Sequence, residues 1–180
     1  MAVDAAALRE MFAALATEME ANRDELCRLD GVIGDADHGI AMAVGFAKAR
    51  DAVAAAEPGT EPTAVLNMAA KAFLGAVGAS CGPLYATAFM RAGAAVKGKP
   101  ALDDADVVAM LQAMATGIRD RGKAEPGDKT MLDAWVPAAQ AAAEAHARGL
   151  PLAACLEAAA VAARGGAEAT RDMVAAKGRA

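Results

Sequence analysis

The sequence predicts an all-α protein, an antiparallel up-and-down helical barrel of about eight helices, and three observations carry that prediction. Alanine fills 54 of the 180 positions, and it is the residue that costs least to place in a helix. Valine and isoleucine number only 12 and 3, and aromatics make up 3%, whereas strands favour β-branched and aromatic side chains. Apolar residues recur at helical spacing between short breaks, and short connections make consecutive helices antiparallel. A chain of 180 residues is long enough for one core, so residues 1–180 are expected to form a single domain.

The elements follow in order. Asp4 is a fitting N-cap for a helix from Ala5 to about Glu20, with Leu8, Met11, Phe12, Leu15 and Met19 on one face. A short second piece runs from Arg23 to Leu29. A third helix fits Gly39 to Ala56, with Met42, Phe46, Ala49 and Val53 inward. Thr63 is read as the cap of a helix reaching Val77, and Pro83 as the first residue of the next, which ends near Val96. Asp103 or Asp104 opens a helix to about Asp120. Thr130 and Asp133 form a T-x-x-D start resembling a capping box, for a helix reaching about His146. The last helix is expected from Leu152 to Ala176.

The formal net charge is −5 and no Lys/Arg run stands out, which disfavours nucleic acid and anionic membrane surfaces as partners. No apolar stretch approaches the roughly 18 residues of a membrane span. Met1-Ala2-Val3-Asp4 carries no basic leader. Cys27, Cys81 and Cys155 are odd in number and scattered, without disulfide or zinc spacing. A cytoplasmic protein is expected.

Chemistry concentrates in Asp30 to Ala41. Asp30, Asp35 and Asp37 stand at D-x4-D-x-D among glycines. Carboxylates that close repel one another unless a cation sits between them. Mg²⁺ takes a few carboxylates and leaves its other positions to water and phosphate. The segment ends where a helix begins, so the amides of His38, Gly39, Ile40 and Ala41 face an anion. The competing reading is a solvated turn with Asp37 as an ordinary N-cap. The spacing does not fit an EF-hand.

Two further loops join helices. Gly78 to Pro83 offers amides, the Ser80 hydroxyl and the Cys81 thiol, or is simply a corner. Gly122 to Met131 offers Lys123 and Lys129 to phosphate, or is simply an exposed loop. Gly93 to Lys99 satisfies G-x4-G-K, but Pro100 follows where a P-loop needs Ser or Thr, and no strand precedes it. His146 reads as a surface residue near a helix C-terminus. Trp135 and the methionines read as core.

Several of these segments resemble one family. Leu29-Asp30 through Gly34-Asp35-Ala36-Asp37-His38-Gly39, followed by Met42, resembles the metal loop of DhaL, the nucleotide-binding subunit of dihydroxyacetone kinases. Arg121-Gly122-Lys123-Ala124-Glu125-Pro126-Gly127-Asp128-Lys129-Thr130-Met131 resembles its second signature, Gly78 to Leu84 its third, and Lys177-Gly178-Arg179-Ala180 the start of its fourth.

The resemblance implies an eight-helix barrel with the nucleotide at one end. Asp30, Asp35 and Asp37 would hold two Mg²⁺ ions. His38, Gly39, Ile40, Ala41, Ser80, Cys81, Gly122, Met131 and Arg179 would surround ADP or ATP. It also implies a K subunit that holds dihydroxyacetone, and in PEP-dependent systems an M subunit that recharges ADP in place. Three departures stand out: Ala41 where the family usually has Asn, Cys81 in place of a smaller residue or Ser, and a lid segment expected but missing after Ala180. The alternatives are a kinase subunit for another small ketose such as erythrulose, and a non-catalytic helical interaction module.

Overall fold

The computed structural model describes residues 2–78 and 81–178. Among them it holds eight α-helices: α1 Ala5–Ala21, α2 Arg23–Asp30, α3 His38–Ala54, α4 Pro62–Ala76, α5 Cys81–Ala95, α6 Asp104–Gly122, α7 Leu132–Ala147 and α8 Leu152–Ala169, then a 3₁₀ turn Thr170–Asp172. The sole extended pairing among the described residues is an isolated bridge between Val3 and Leu102. The predicted all-α, up-and-down architecture is what forms. From α3 to α8 each helix packs on the next along the chain, and α1 packs on α3. The Val3–Leu102 bridge sets the starts of α1 and α6 together, and the His38–Cys81 contact those of α3 and α5.

Periodicity locates the core well. Met42, Phe46, Ala49 and Val53 are all buried along α3, and Leu8, Phe12 and Ala16 along α1. The chain's four phenylalanines meet in one cluster. Phe12 and Phe89 stand edge to face at 5.3 Å, Phe46 and Phe73 at 5.2 Å, with Tyr85 beside them. A second apolar cluster joins α6, α7 and α8 through Val108, Ala142 and Cys155.

Several helix ends differ from expectation, each for a local reason. α4 starts at Pro62, whose missing N–H is not needed at the first position. Thr63 is therefore no cap, and its hydroxyl donates instead to the Gly93 carbonyl at 3.1 Å. α5 starts at Cys81, with Pro83 still inside the first turn, where amides lack helical acceptors anyway. α6 runs on to Gly122 and ends on Lys123 in the left-handed region, φ 52°. α7 starts at Leu132, and α8 ends at Ala169, well short of Ala176. There the chain turns back, and Ala176 N–H donates to Asp128 O at 3.1 Å. That tertiary bond overrides the helix propensity of the remaining alanines.

Asp4 caps α1 by accepting from Ala7 N–H at 3.0 Å. Asp103 and Asp106 complete a reciprocal capping box on α6, at 2.9 and 3.2 Å, and the Asp106 carboxylate also meets Lys99. The Lys99 ammonium, and then the Asp103 amide, hold the Asp106 carboxyl below its ordinary 3.8, against its burial. A lowered folded-state value means stability present above the unfolded value and lost as pH falls through the folded one. We expect Asp106→Ala to cost about 0.5–2 kcal/mol in urea unfolding at neutral pH. The gap to the parent should narrow below about pH 4, where the parent carboxylate titrates too.

The α7–α8 crossing is unusually close. Pro137 lies inside α7 and has no N–H for the Asp133 carbonyl. Gly166 of α8 packs against that same carbonyl, and a methyl group at 166 would collide with it.

The alternation of helix directions has one consequence for function. The C-terminal ends of α1, α4, α6 and α8 and the N-terminal ends of α3, α5 and α7 lie at the same end of the barrel. The acidic loop, the start of α5 at Cys81 and the loop between α6 and α7 therefore converge there.

Candidate functional site

The acidic loop is folded around Asp30, the last residue of α2. Its carbonyl accepts from Gly34 N–H at 2.6 Å and Ile33 N–H at 3.2 Å. Its Oδ2 accepts from the amides of Asp37 at 3.1 Å and His38 at 3.4 Å. A side chain at Gly34 would occupy the space of Asp30 Oδ1, and Ala36 takes the left-handed conformation, φ 60°. The outcome brings one oxygen from each of Asp30, Asp35 and Asp37 within 4.8 Å of the others. Asp30 is half-buried, and Asp35 and Asp37 are exposed. Asp37 makes no side-chain capping bond to α3, so the ordinary N-cap reading does not describe it. Hard oxygen donors at this separation suit a divalent cation such as Mg²⁺.

The start of α3 is more selective than the sequence reading. His38 N–H goes to Asp30, and Ala41 N–H is taken by the Asp37 carbonyl at 3.0 Å. Gly39 and Ile40 are left as the amides at this N-terminus that neither Asp30 nor the Asp37 carbonyl takes up. Gly39 is buried, and a methyl group there would strike the Arg23 carbonyl of α2. Ile40 is exposed, whereas Ala41 packs against the core. The absent Asn side chain at 41 is thus a position turned partly inward.

His38 Nδ1 lies 3.9 Å from Cys81 Sγ, which ties the start of α3 to the start of α5. The Cys81 thiol raises the imidazole's affinity for a proton above its ordinary 6.5, helped by Asp30 and Asp37 and opposed by partial burial.

A pocket of about 330 Å³ opens at the same end of the barrel, within the size range of ligand clefts. Leu84 of α5, Ile118 and Gly122 of α6, Ala124 and Met131 of the loop, and Leu132 of α7 give it apolar walls. Lys129, Thr130, Lys177 and Gly178 complete it. Gly122 and Met131, both expected near the nucleotide, therefore share one cavity. The Gly122–Met131 loop is held from beneath by Asp133, a buried carboxylate that accepts from Gly127 N–H and from Thr130 N–H at 2.8 Å.

Not every expected residue takes its expected part. The Lys129 ammonium, read as a phosphate partner, donates to the Met173 carbonyl at 3.1 Å, and Lys123 is an exposed helix terminus. Ser80 and Arg179 lie outside the described residues. Leu84, Ile118 and the buried role of Asp133 were missed. The T-x-x-D pattern pointed to Asp133 as part of a capping box, and its carboxylate does reach back to Thr130 N–H while the Thr130 hydroxyl accepts from Leu132 N–H. The further bond from Gly127 N–H, which braces the loop, was not legible.

These features define an all-helical protein with an acidic, metal-type cluster and an apolar pocket at one end. Residues 32–180 match the DAK2 domain family, and the chain belongs to it. It is 39% identical over 158 residues to the PEP-dependent dihydroxyacetone kinase, ADP-binding subunit DhaL, of Escherichia coli K12, covering 86% of this chain and 73% of that protein. It is 36% identical over 165 residues to the corresponding DhaL subunit of kinase 2 of Listeria innocua, covering 90% and 75%. It is also 36% identical over 163 residues to the L-erythrulose 1-kinase of Mycolicibacterium smegmatis, covering 88% of this chain but 28% of that enzyme. Among the described residues no helix is long and apolar enough to cross a membrane.

Proposed function

We propose that this chain is the ADP/ATP-binding subunit of a dihydroxyacetone kinase, a cytoplasmic phosphotransferase component that works as one domain. The observation that carries the reading is the convergence, at one end of the barrel, of the Asp30–Asp35–Asp37 cluster and the pocket holding Gly122 and Met131. The likeness to DhaL subunits points the same way.

In this reading the adenine enters the apolar pocket between Leu84, Ile118 and Met131. The phosphates extend toward the start of α3, where the Gly39 and Ile40 amides face them. Asp30, Asp35 and Asp37 hold two Mg²⁺ ions, which when bound neutralise phosphate charge and fix its orientation. Asp30 also anchors the loop through its bonds to the Asp37 and His38 amides. Catalysis here is positioning and charge stabilisation, with no covalent step on this chain. The terminal phosphorus–oxygen bond of ATP breaks as a new one forms to a hydroxyl oxygen of dihydroxyacetone held by a K subunit. The hydroxyl proton is taken up on the partner's side, and ADP remains on this chain. An M subunit carrying phosphate from PEP then recharges the ADP.

The erythrulose kinases among the relatives favour a second reading of the same site, with another small ketose as acceptor. The partner holds the ketose, so the roles of the residues named here are unchanged. The test is calorimetric titration of the purified chain with ADP, in Mg²⁺ and again in EDTA. Binding that needs Mg²⁺ is expected. No heat of binding at any Mg²⁺ concentration would overturn the reading.

A further inference from the structure

We infer that Lys129 is a positioning residue for the nucleotide: it pins residues 173–178 in place as one wall of the base pocket, and so sets how long the nucleotide stays bound. The inference rests on the pocket being the base site, as proposed above.

The loop before α7 has a fixed shape. Asp133 braces it at Gly127 and Thr130, the Thr130 hydroxyl accepts from Leu132 N–H at 3.2 Å, and Asp128 Oδ2 accepts from Glu125 N–H at 2.9 Å. Lys129 sits at φ 57°, in the left-handed region. Glycine or asparagine would occupy that conformation at lower cost, so the backbone does not account for a lysine there. Its side chain does. Nζ donates to the Met173 carbonyl, 44 residues along the chain, and the neighbouring Asp128 carbonyl receives Ala176 N–H. Two consecutive loop residues thus grip the segment after the 3₁₀ turn at positions 173 and 176. Immediately beyond, Lys177 and Gly178 join Lys129, Thr130 and Met131 around the cavity.

Little else secures that segment. No residue from 171 to 178 is buried, and Val174 is 88% exposed. Apolar burial therefore contributes little, and two hydrogen bonds carry much of the positioning. One of them has a charged donor and is the stronger kind.

The test measures dissociation of Mg-ADP from the full chain by stopped flow, for the parent, Lys129→Met, Lys129→Arg, Ala176→Pro and the Lys129→Met/Ala176→Pro double variant. Losing the bond should speed dissociation by about fivefold to tenfold in Lys129→Met. Lys129→Arg should restore most of the parent rate. Ala176→Pro removes the other donor and leaves Lys129 and its loop untouched, so it tests the wall even if Lys129→Met folds poorly. It should speed release to a similar extent, and the double variant should be little faster than either single one, because both release the same segment. Parent-like dissociation in Lys129→Met or Ala176→Pro would overturn the inference. So would full additivity, which would instead assign the Lys129 charge to the phosphates. A parent chain that binds no Mg-ADP at all would strike the proposed function itself, a result distinct from either.

Discussion

Asp37→Asn is expected to remove Mg²⁺-dependent nucleotide binding while leaving the fold intact. The carboxylate stands within 4.8 Å of Asp30 and Asp35 and makes no capping bond to α3, so its part is electrostatic and not structural. Loss of a group that merely orients a metal ligand costs 10–100-fold in affinity, so loss of the ligand itself should cost at least about 100-fold. Stability without metal should change by less than about 0.5 kcal/mol, because the side chain is exposed. Thermal melts read both effects. A ligand at a hundred times its dissociation constant adds about 2.7 kcal/mol to the parent, and the variant should gain almost nothing. Asn caps a helix as well as Asp does, so Asp37→Ala separates the two roles: an Asp37→Ala chain that fails to fold would return the residue to the role of a cap. Asp30 makes a useful contrast. Its Oδ2 holds the Asp37 and His38 amides, so Asp30→Ala should cost stability as well as binding.

The largest effect on stability is expected from Phe73→Ala. Phe73 is fully buried at the centre of the aromatic cluster, against Phe46 at 5.2 Å and Tyr85 at 5.3 Å. Truncation there removes buried area and leaves a cavity that helices already packed through alanine and glycine have little means to fill. The cost should be about 3–5 kcal/mol, read from urea unfolding midpoints at unchanged slope. That is a large share of the roughly 5–15 kcal/mol that holds a typical domain folded. Because Gly45 of α3 lies against the Phe73 ring, a shift of α4 would propagate to the helix that opens at the acidic loop.

What the sequence made legible, and what it did not, follows from how far each interaction reaches. The face of α3 was readable because Met42, Phe46, Ala49 and Val53 repeat at the helical period, and all four are buried. Asp4 and Asp103 were readable because a cap acts three residues away. The carboxylate cluster was readable because D-x4-D-x-D keeps its three aspartates within eight residues. The end of α8 was not. Its alanines favour a helix through Ala176, but the chain is turned by bonds to Asp128 and Lys129, which lie more than 40 residues earlier. The cap of α8 was hidden for the same reason, since Leu152 N–H goes to Asp104 on α6 at 3.1 Å. Leu84 and Ile118 look like any core residue of an amphipathic helix, and only the meeting of α5, α6 and the loop makes them walls of a pocket. Resemblance to DhaL supplied Gly122 and Met131, which periodicity alone would have left as loop.

Native mass spectrometry of the purified chain with saturating ADP, in Mg²⁺ and in EDTA, tests the central claim most directly. The account predicts one ADP and two magnesium ions retained together on each chain in Mg²⁺, and all of them lost in EDTA. A chain that stays bare in saturating Mg-ADP, or that carries ADP equally well in EDTA, would contradict it.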